Sequence, residues 1–216
     1  MNVITLVSCK AGSGKTTLTA DLAAHACGDG RRCLVIDADP GGGLARLNAS
    51  RARGVLPLAS ARVLARQLEV ADILGYDWVL IDTAPAVSAW VEEALRVTTM
   101  VIIPARPGLA DLVAVSQTAE YVHAGGRPYL VVLNAVPDDG ADAAAVVESR
   151  AWLARYDIPV WARQISERPP YLLAEGAAAA RARSAMEVAA LWSVIERTVE
   201  AVRAPRLDAG DAKRAA

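Results

Sequence analysis

The residues with the plainest chemistry are Cys9-Lys10-Ala11-Gly12-Ser13-Gly14-Lys15-Thr16-Thr17. They lie between an apolar run, Val3-Ile4-Thr5-Leu6-Val7, and a helical pattern from Leu18 to Cys27. A strand, a loop of small residues and a helix N-terminus in that order cradle phosphate, because the loop N–H groups and the positive helix end face the anion. Lys15 adds a mobile charge for β/γ-phosphates, and Thr16 offers a hydroxyl to Mg²⁺. Lys10, Ala11, Gly12, Ser13, Gly14, Lys15, Thr16 and Thr17 are therefore the candidate cradle residues. The front half of the loop is unusual. The ordinary pattern has glycine five residues before Gly14, where this chain has Cys9, and a second lysine, Lys10, follows it.

Acids end two later apolar strands. Asp82 closes Trp78-Val79-Leu80-Ile81 and suits the acidic element that holds Mg²⁺ or its water, although a strand-end Asp also serves as a turn residue. Asp39 follows Cys33-Leu34-Val35-Ile36-Asp37 and precedes Pro40 and the run Gly41-Gly42-Gly43. That setting makes it the candidate for positioning an attacking water and a further ligand for the metal. Asp37 reads equally as a supporting residue or as a structural strand end.

The elements that must position these groups alternate along the chain. Continuous apolar runs bounded by turn signals read as buried parallel strands. They fall at 3–7, 32–37, 78–81, 100–103 reaching Pro104, and 129–134, with a short strand at 158–162 and an edge strand at 55–58 carrying Pro57. Helical patterns lie between them: about 44–53, 60–74 capped by Ser60, 88–97, 109–123 stopped by Gly125-Gly126, 141–156, a small helix after Pro169-Pro170, and 186–202. The expected fold class is α/β, a mostly parallel twisted sheet with helices on both faces. Ligands of such sheets bind outside the strand C-termini. The phosphate loop, Asp37, Asp39, Asp82, Pro104 and Asn134 all fall on that rim, and Asn134 is the candidate contact to a nucleotide base. A single domain over 1–203 with a disordered tail at 204–216 is expected.

Composition narrows the class. No apolar run approaches the ~18 residues of a membrane span, and the N-terminus enters a strand pattern without a charged leader, so a cytoplasmic protein is expected. Cys9, Cys27 and Cys33 are irregularly spaced and fit neither a disulfide framework nor a zinc site. Net charge is −1, which announces no nucleic-acid partner for the chain as a whole. Of the 23 basic residues only Lys10, Lys15 and Lys213 are lysines. Two of them stand in the phosphate loop, where a compact ammonium suits close phosphate contact better than a planar guanidinium.

Together these residues resemble the ParA/MinD family of deviant Walker ATPases, P-loop NTPases with a lysine-first loop. Lys10-Ala11-Gly12-Ser13-Gly14-Lys15-Thr16 is similar to that loop, Val35-Ile36-Asp37-Ala38-Asp39-Pro40 to the second motif, and Val79-Leu80-Ile81-Asp82-Thr83-Ala84-Pro85 to the third. The resemblance spans about residues 2–203 and is strongest to small ParA-type partition ATPases, which begin directly at the phosphate loop. It implies Mg²⁺-dependent hydrolysis of ATP to ADP, weak and partner-stimulated, with Lys10, Lys15 and Asp39 catalytic and Thr16, Asp39 and Asp82 around the metal. It also implies an ATP homodimer in which Lys10 reaches the partner's nucleotide, as an arginine finger does. Three positions depart from the family: Gly41 where Gln is usual, Ala11 where Gly is commoner, and Arg106 in a region usually small and polar.

By the same resemblance, the ATP dimer binds DNA without sequence preference, associates with the nucleoid and drives plasmid or chromosome partition with a ParB-like or centromere-binding partner. Positioning of a protein cargo, or ATP-gated assembly without a motor, is the alternative. Candidate DNA contacts are Arg150, Arg155, Arg163, Arg168, Arg181, Arg183 and Arg203, which read equally as solvated helix faces balanced by Glu148, Glu167, Glu175 and Glu187. The segment Ala204–Gly210 has one Leu and two helix breakers, so no membrane anchor is expected. The cysteines do not supply the pair that a metal-cluster relative would need, and no separate acceptor-substrate constellation suggests a ligase or kinase.

Overall fold

Side chains alternate along each central strand, and both sets are buried. Ile4 and Leu6 of β1 (Asn2–Leu6), Val35 of β2 (Cys33–Ala38), Leu80 of β4 (Trp78–Thr83) and Ile102 of β5 (Met100–Ala105) face one side. There they pack against α1 (Lys15–Gly28) and α6 (Ala177–Arg203), with Leu22 and Trp192 among the fully buried contacts. On the other side Val3, Ile36 and Ile81 meet α2 (Leu64–Ile73) and α3 (Ala89–Val97). Further along that face Val101 and Ile103, with Val131 and Leu133 of β6 (Tyr129–Leu133), meet α4 (Leu109–Ala124) and α5 (Ala143–Arg155). Burial on both faces is why these strands read as continuous apolar runs.

The computed structural model describes residues 1–44, 55–57, 60–86, 88–137, 143–167 and 177–204. Its sheet has six strands in the order β3-β2-β4-β1-β5-β6, with β3 at Val55–Pro57, and every neighbouring pair is parallel. This is the expected α/β architecture. β1 lies between β4 and β5, and its last residue, Leu6, pairs with Asp82 on one flank and Ile102 on the other, so the loop leaving β1 emerges between those two strands.

Two prolines sit where their missing N–H costs nothing. Pro57 lies on the edge strand β3, as expected. Pro104 lies inside β5, one residue beyond the predicted strand end. Ile102 accepts a hydrogen bond from Val7, so Pro104, two residues on, faces the side from which β1 has already departed into the loop.

Helix ends follow their predicted signals closely. Ser88 accepts from the Val91 N–H and starts α3, while Gly125 and Gly126 follow α4. Ser60 caps a short 3₁₀ turn, Ala61–Val63, that leads into α2.

Two expectations are corrected. No ladder forms over 158–162: only an isolated bridge joins Val160 to Val131, and another joins Ser166 to Val136. Pro159 has no N–H to give, so the segment follows β6 through single bonds, Val131 N–H to Pro159 O and Trp161 N–H to Val131 O. The last helix starts at Ala177 rather than Met186. Its first turns, Ala177-Ala178-Ala179-Ala180-Arg181-Ala182, lack apolar periodicity but have high intrinsic helix propensity. The helix expected over 44–53, the turn at Pro169-Pro170 with its small helix, and the tail beyond Ala204 lie outside the described residues.

Candidate nucleotide site

The loop after β1 turns into α1 through two left-handed residues, Gly12 at φ 76° and Gly14 at φ 90°. Gly14 is required for a second reason. A Cβ there would stand 2.1 Å from Asn134 Nδ2, which donates to the Ser13 carbonyl at 2.8 Å. Asn134, just beyond β6, thereby clasps the loop and lines the adjoining cleft.

Lys15 begins α1 and is buried. Its ammonium lies 3.5 Å from both the Ser8 and Lys10 carbonyls, folded over the loop it serves. Burial lowers its pKa, and the carboxylates of Asp82 and Asp39 oppose that shift. Contacts this long are readily exchanged for an incoming anion. Thr16, one residue on, donates to Asp82 Oδ2 at 2.7 Å.

Asp82 is fully buried, and its second oxygen, Oδ1, has no hydrogen-bond partner among the described residues. Burial pushes its carboxyl up to about 7, against the Thr16 hydrogen bond and the Lys15 charge. A buried, half-satisfied carboxylate beside a threonine hydroxyl fits a Mg²⁺ ion held mainly by nucleotide phosphates and water. Among the described residues no group of three or more His, Cys, Asp or Glu side chains could hold a metal without such help.

Asp37 and Asp39 complete the acidic side. Asp37 lies in register with Asp82 on the neighbouring strand, and its Oδ1 accepts the Asp39 N–H at 3.2 Å. That bond helps hold the turn that carries Asp39. Asp39 is half-buried, and its own Oδ1 accepts the Gly41 N–H at 2.8 Å. Lys10, Ala11, Ser13, Thr17 and the other predicted cradle residues all lie on or beside this loop, on the rim with Asp39, Asp82 and Asn134.

Sequence reasoning missed the helix that fixes the front of the loop. Lys10 forms an ion pair with Asp111 in the first turn of α4, a carboxylate buried beneath the loop. Asp111 also accepts the Arg106 N–H at 3.1 Å, and Thr118, two turns along α4, accepts the Cys9 N–H at 3.1 Å. The only local hint was an acid among the apolar positions of a helix.

The arginine set divides. Arg155, Arg163 and Arg183 are exposed. Arg150 is half-buried and donates to the Trp161 and Arg163 carbonyls at 2.6 and 2.7 Å, so it ties α5 to the segment after β6 rather than presenting free charge. Arg203 is exposed and donates to the Met1 carbonyl. Arg168 lies outside the described residues. Glu187, read as a surface counter-charge, is instead buried and accepts from both the N–H and the hydroxyl of Ser166. Among the described residues no helix is long and apolar enough to cross a membrane.

Comparison with known proteins agrees with this geometry. The model of the CbiA family, the CobQ/CobB/MinD/ParA nucleotide binding domain, matches residues 4–175. The chromosome-partitioning ATPase Soj of Thermus thermophilus is 30% identical over 167 residues, which cover 60% of this chain and 66% of that protein. The protein virC1 of Rhizobium rhizogenes is 28% identical over 130 residues, 56% of each chain. The chain thus spans less than two thirds of the length of both relatives.

Solved structures share the fold at low identity. Cobyrinic acid a,c-diamide synthase from Mycobacterium smegmatis with bound ADP and magnesium superposes with a TM-score of 0.72 at 18% identity, over 94% of this chain and 97% of that one. The pNOB8 ParA bound to nonspecific DNA gives 0.64 at 17%, over 93% and 99%. The MinC:MinD complex of Aquifex aeolicus gives 0.66 at 21%, over 88% and 96%. A lysine-first phosphate loop on a parallel sheet, with acids ending the neighbouring strands and a family match over most of the chain, leads to one assignment: this chain belongs to the CobQ/CobB/MinD/ParA family of nucleotide-binding domains, with a P-loop NTPase fold.

Proposed function

We propose that the chain is an ATP-dependent dimerising ATPase of the ParA type, with residues 1–203 acting as one domain, which binds DNA without sequence preference as the ATP dimer and drives partition of a plasmid or chromosome. The observation that carries this reading is the pair of lysines in one phosphate loop with different placements. Lys15 is buried and folds over its own loop, whereas Lys10 projects to the rim against Asp111. An enzyme working alone has little use for the second. A lysine that can leave Asp111 for a nucleotide held by another copy makes hydrolysis conditional on dimerisation.

The remaining roles follow from position. In this reading Lys15 and the loop N–H groups would take the β/γ-phosphates, and Asn134 would contact the base. Thr16, Asp82 and Asp39 would hold a Mg²⁺ ion, which would supply charge neutralisation on the phosphates. Asp39 orients the attacking water. Relatives support the finer reading: Soj is a chromosome-partitioning ATPase, the pNOB8 ParA structure holds nonspecific DNA, and MinD assembles with a partner protein. By analogy a ParB-like protein stimulates a weak basal turnover, and the ATP form associates with the nucleoid in the cytoplasm. Arg155 and Arg163, both exposed, are the cations this reading assigns to DNA phosphates.

The deciding experiment is filter retention of DNA of random sequence by the full chain with a slowly hydrolysed ATP analogue, with ADP, and with no nucleotide. Retention with the analogue alone, lost as salt rises, is expected. Retention indifferent to nucleotide, or none at low salt, overturns the DNA-partition reading.

A further inference from the structure

Beside the phosphate loop lies a cleft of about 160 Å³, lined by Gly14, Asp21, Arg106, Asn134, Ser166 and Glu167 among others. Small-molecule sites usually measure about 300–1,000 Å³, so this one is contracted for the base and ribose that the proposed function would place there. What narrows its mouth is Arg106. Its Nε donates to the Gly12 carbonyl at 3.3 Å on the phosphate-loop wall, and its Nη1 meets Glu167 Oε1 at 3.4 Å on the opposite wall.

The two side chains are held differently from their backbones. The Arg106 N–H is fixed on buried Asp111, and the Glu167 N–H is fixed on the Val136 carbonyl at 2.7 Å. Ser166, beside Glu167, is held twice by Glu187 of α6. Both side chains are about half-exposed, 51% and 45%. The walls are therefore rigid, and the bridge across them is free to swing by rotamer change. A guanidinium suits this task because its fork can engage a carbonyl and a carboxylate together.

The geometry points to Arg106 and Glu167 as a strap over the base half of the nucleotide cleft, which opens to admit the nucleotide and recloses across it, setting the rates of exchange. The inference rests on the nucleotide reading above. Its effect is modest in size, because an exposed ion pair shifts a population only a few-fold. Closed in both the empty and the filled state, the strap slows entry and exit together. Affinity is affected less than either rate.

Stopped-flow binding of a ribose-labelled fluorescent ATP with Mg²⁺ to the full chain tests this. Arg106→Ala is expected to raise the association and dissociation rate constants each about two- to five-fold, as an exposed pair allows, with the unfolding temperature little changed. Glu167→Gln moves both in the same direction. Arg106→Lys, which keeps the charge but cannot bridge both walls, behaves like the alanine variant. Slower association in Arg106→Ala would mean that the guanidinium only attracts phosphate, and the strap is overturned. It is equally overturned if either rate constant is unchanged, or if Arg106→Lys matches the native chain. A Lys15→Ala arm separates the two ideas: normal binding of the probe by that variant refutes the nucleotide cradle itself, whereas lost binding there with unaltered rates in Arg106→Ala refutes the strap alone.

Discussion

Lys10 and Asp111 are ion-paired within one chain although they stand 101 positions apart in sequence. The carboxylate is nearly buried, and the lysine side chain keeps 38% of its exposure. Reaching a second subunit would therefore require Lys10 to leave an acid that still accepts the Arg106 N–H. Lys10→Ala is expected to bind ATP with near-native affinity yet remain monomeric and hydrolytically silent, as light scattering and phosphate release would report. Asp111→Asn frees the lysine and is expected to lower the ATP concentration at which the dimer appears. An ATP-dependent dimer of Lys10→Ala would contradict the role assigned to this lysine.

Lys15 is the charge proposed for the phosphate cradle. With it replaced by alanine, the loop keeps its N–H groups but loses the ammonium now held by the Ser8 and Lys10 carbonyls. Isothermal calorimetry with ATP and Mg²⁺ should give no measurable binding. Retained affinity would move the phosphate site elsewhere.

Asp39 tests the water-positioning role. Asp39→Ala is expected to keep nucleotide binding and dimerisation while lowering turnover by about 10²–10⁴-fold, the usual range for a lost proton-accepting group. Its turn should survive, because Asp37 still accepts the backbone N–H of residue 39. Ordinary turnover in this variant would exclude Asp39 from the chemistry.

Asp82 is expected to make the stability of the metal-free protein depend on pH. Burial raises its folded-state pKa from 3.8 to about 7. The folded chain therefore holds more protons than the unfolded chain between those values. Stability from this group falls as pH rises through that window and is lowest above it. Three units correspond to about 4 kcal/mol at most. Asp82→Asn should flatten the pH dependence of unfolding by urea without Mg²⁺ and should stabilise the metal-free chain at pH 8. The same change should weaken the Mg²⁺ dependence of nucleotide binding. A native pH profile in the variant would show that Asp82 ionises freely in the folded chain.

Gly14→Ala tests the clasp between the loop and Asn134. The left-handed φ of 90° alone carries a penalty of about 1–2 kcal/mol for a residue with a side chain. The new Cβ would also fall 2.1 Å from the Asn134 amide nitrogen, forcing that side chain off the Ser13 carbonyl. Both a lower unfolding midpoint and weaker nucleotide binding are expected. Asn134→Ala should weaken binding with a smaller loss of stability.

Much of the site was legible because parallel strands share a direction. Once Val3–Val7, Leu34–Asp37, Val79–Asp82 and Tyr129–Asn134 read as buried parallel strands, their C-terminal ends had to share one rim, and the polar residues there had to meet. The periodicity is local, and burial of both strand faces makes it strong. The small-residue loop is also local, since only Gly tolerates the left-handed turn at position 14 against Asn134.

Pairing between distant elements was not legible. No spacing rule joins Cys9 to Thr118, Lys10 to Asp111, or Arg106 to Glu167. Those contacts exist because the strand order β3-β2-β4-β1-β5-β6 places β5 next to β1 and so brings the start of α4 under the loop. Arg150 and Glu187 make the same point for charge. In sequence both read as surface residues, yet one is tied to backbone carbonyls and the other is buried on Ser166.

The sequence alone determined the phosphate loop, the acids facing it and the class of sheet, because each depends on residues close together in the chain. Only the tertiary structure decided where Lys10 rests and what spans the cleft, because those depend on which strands become neighbours.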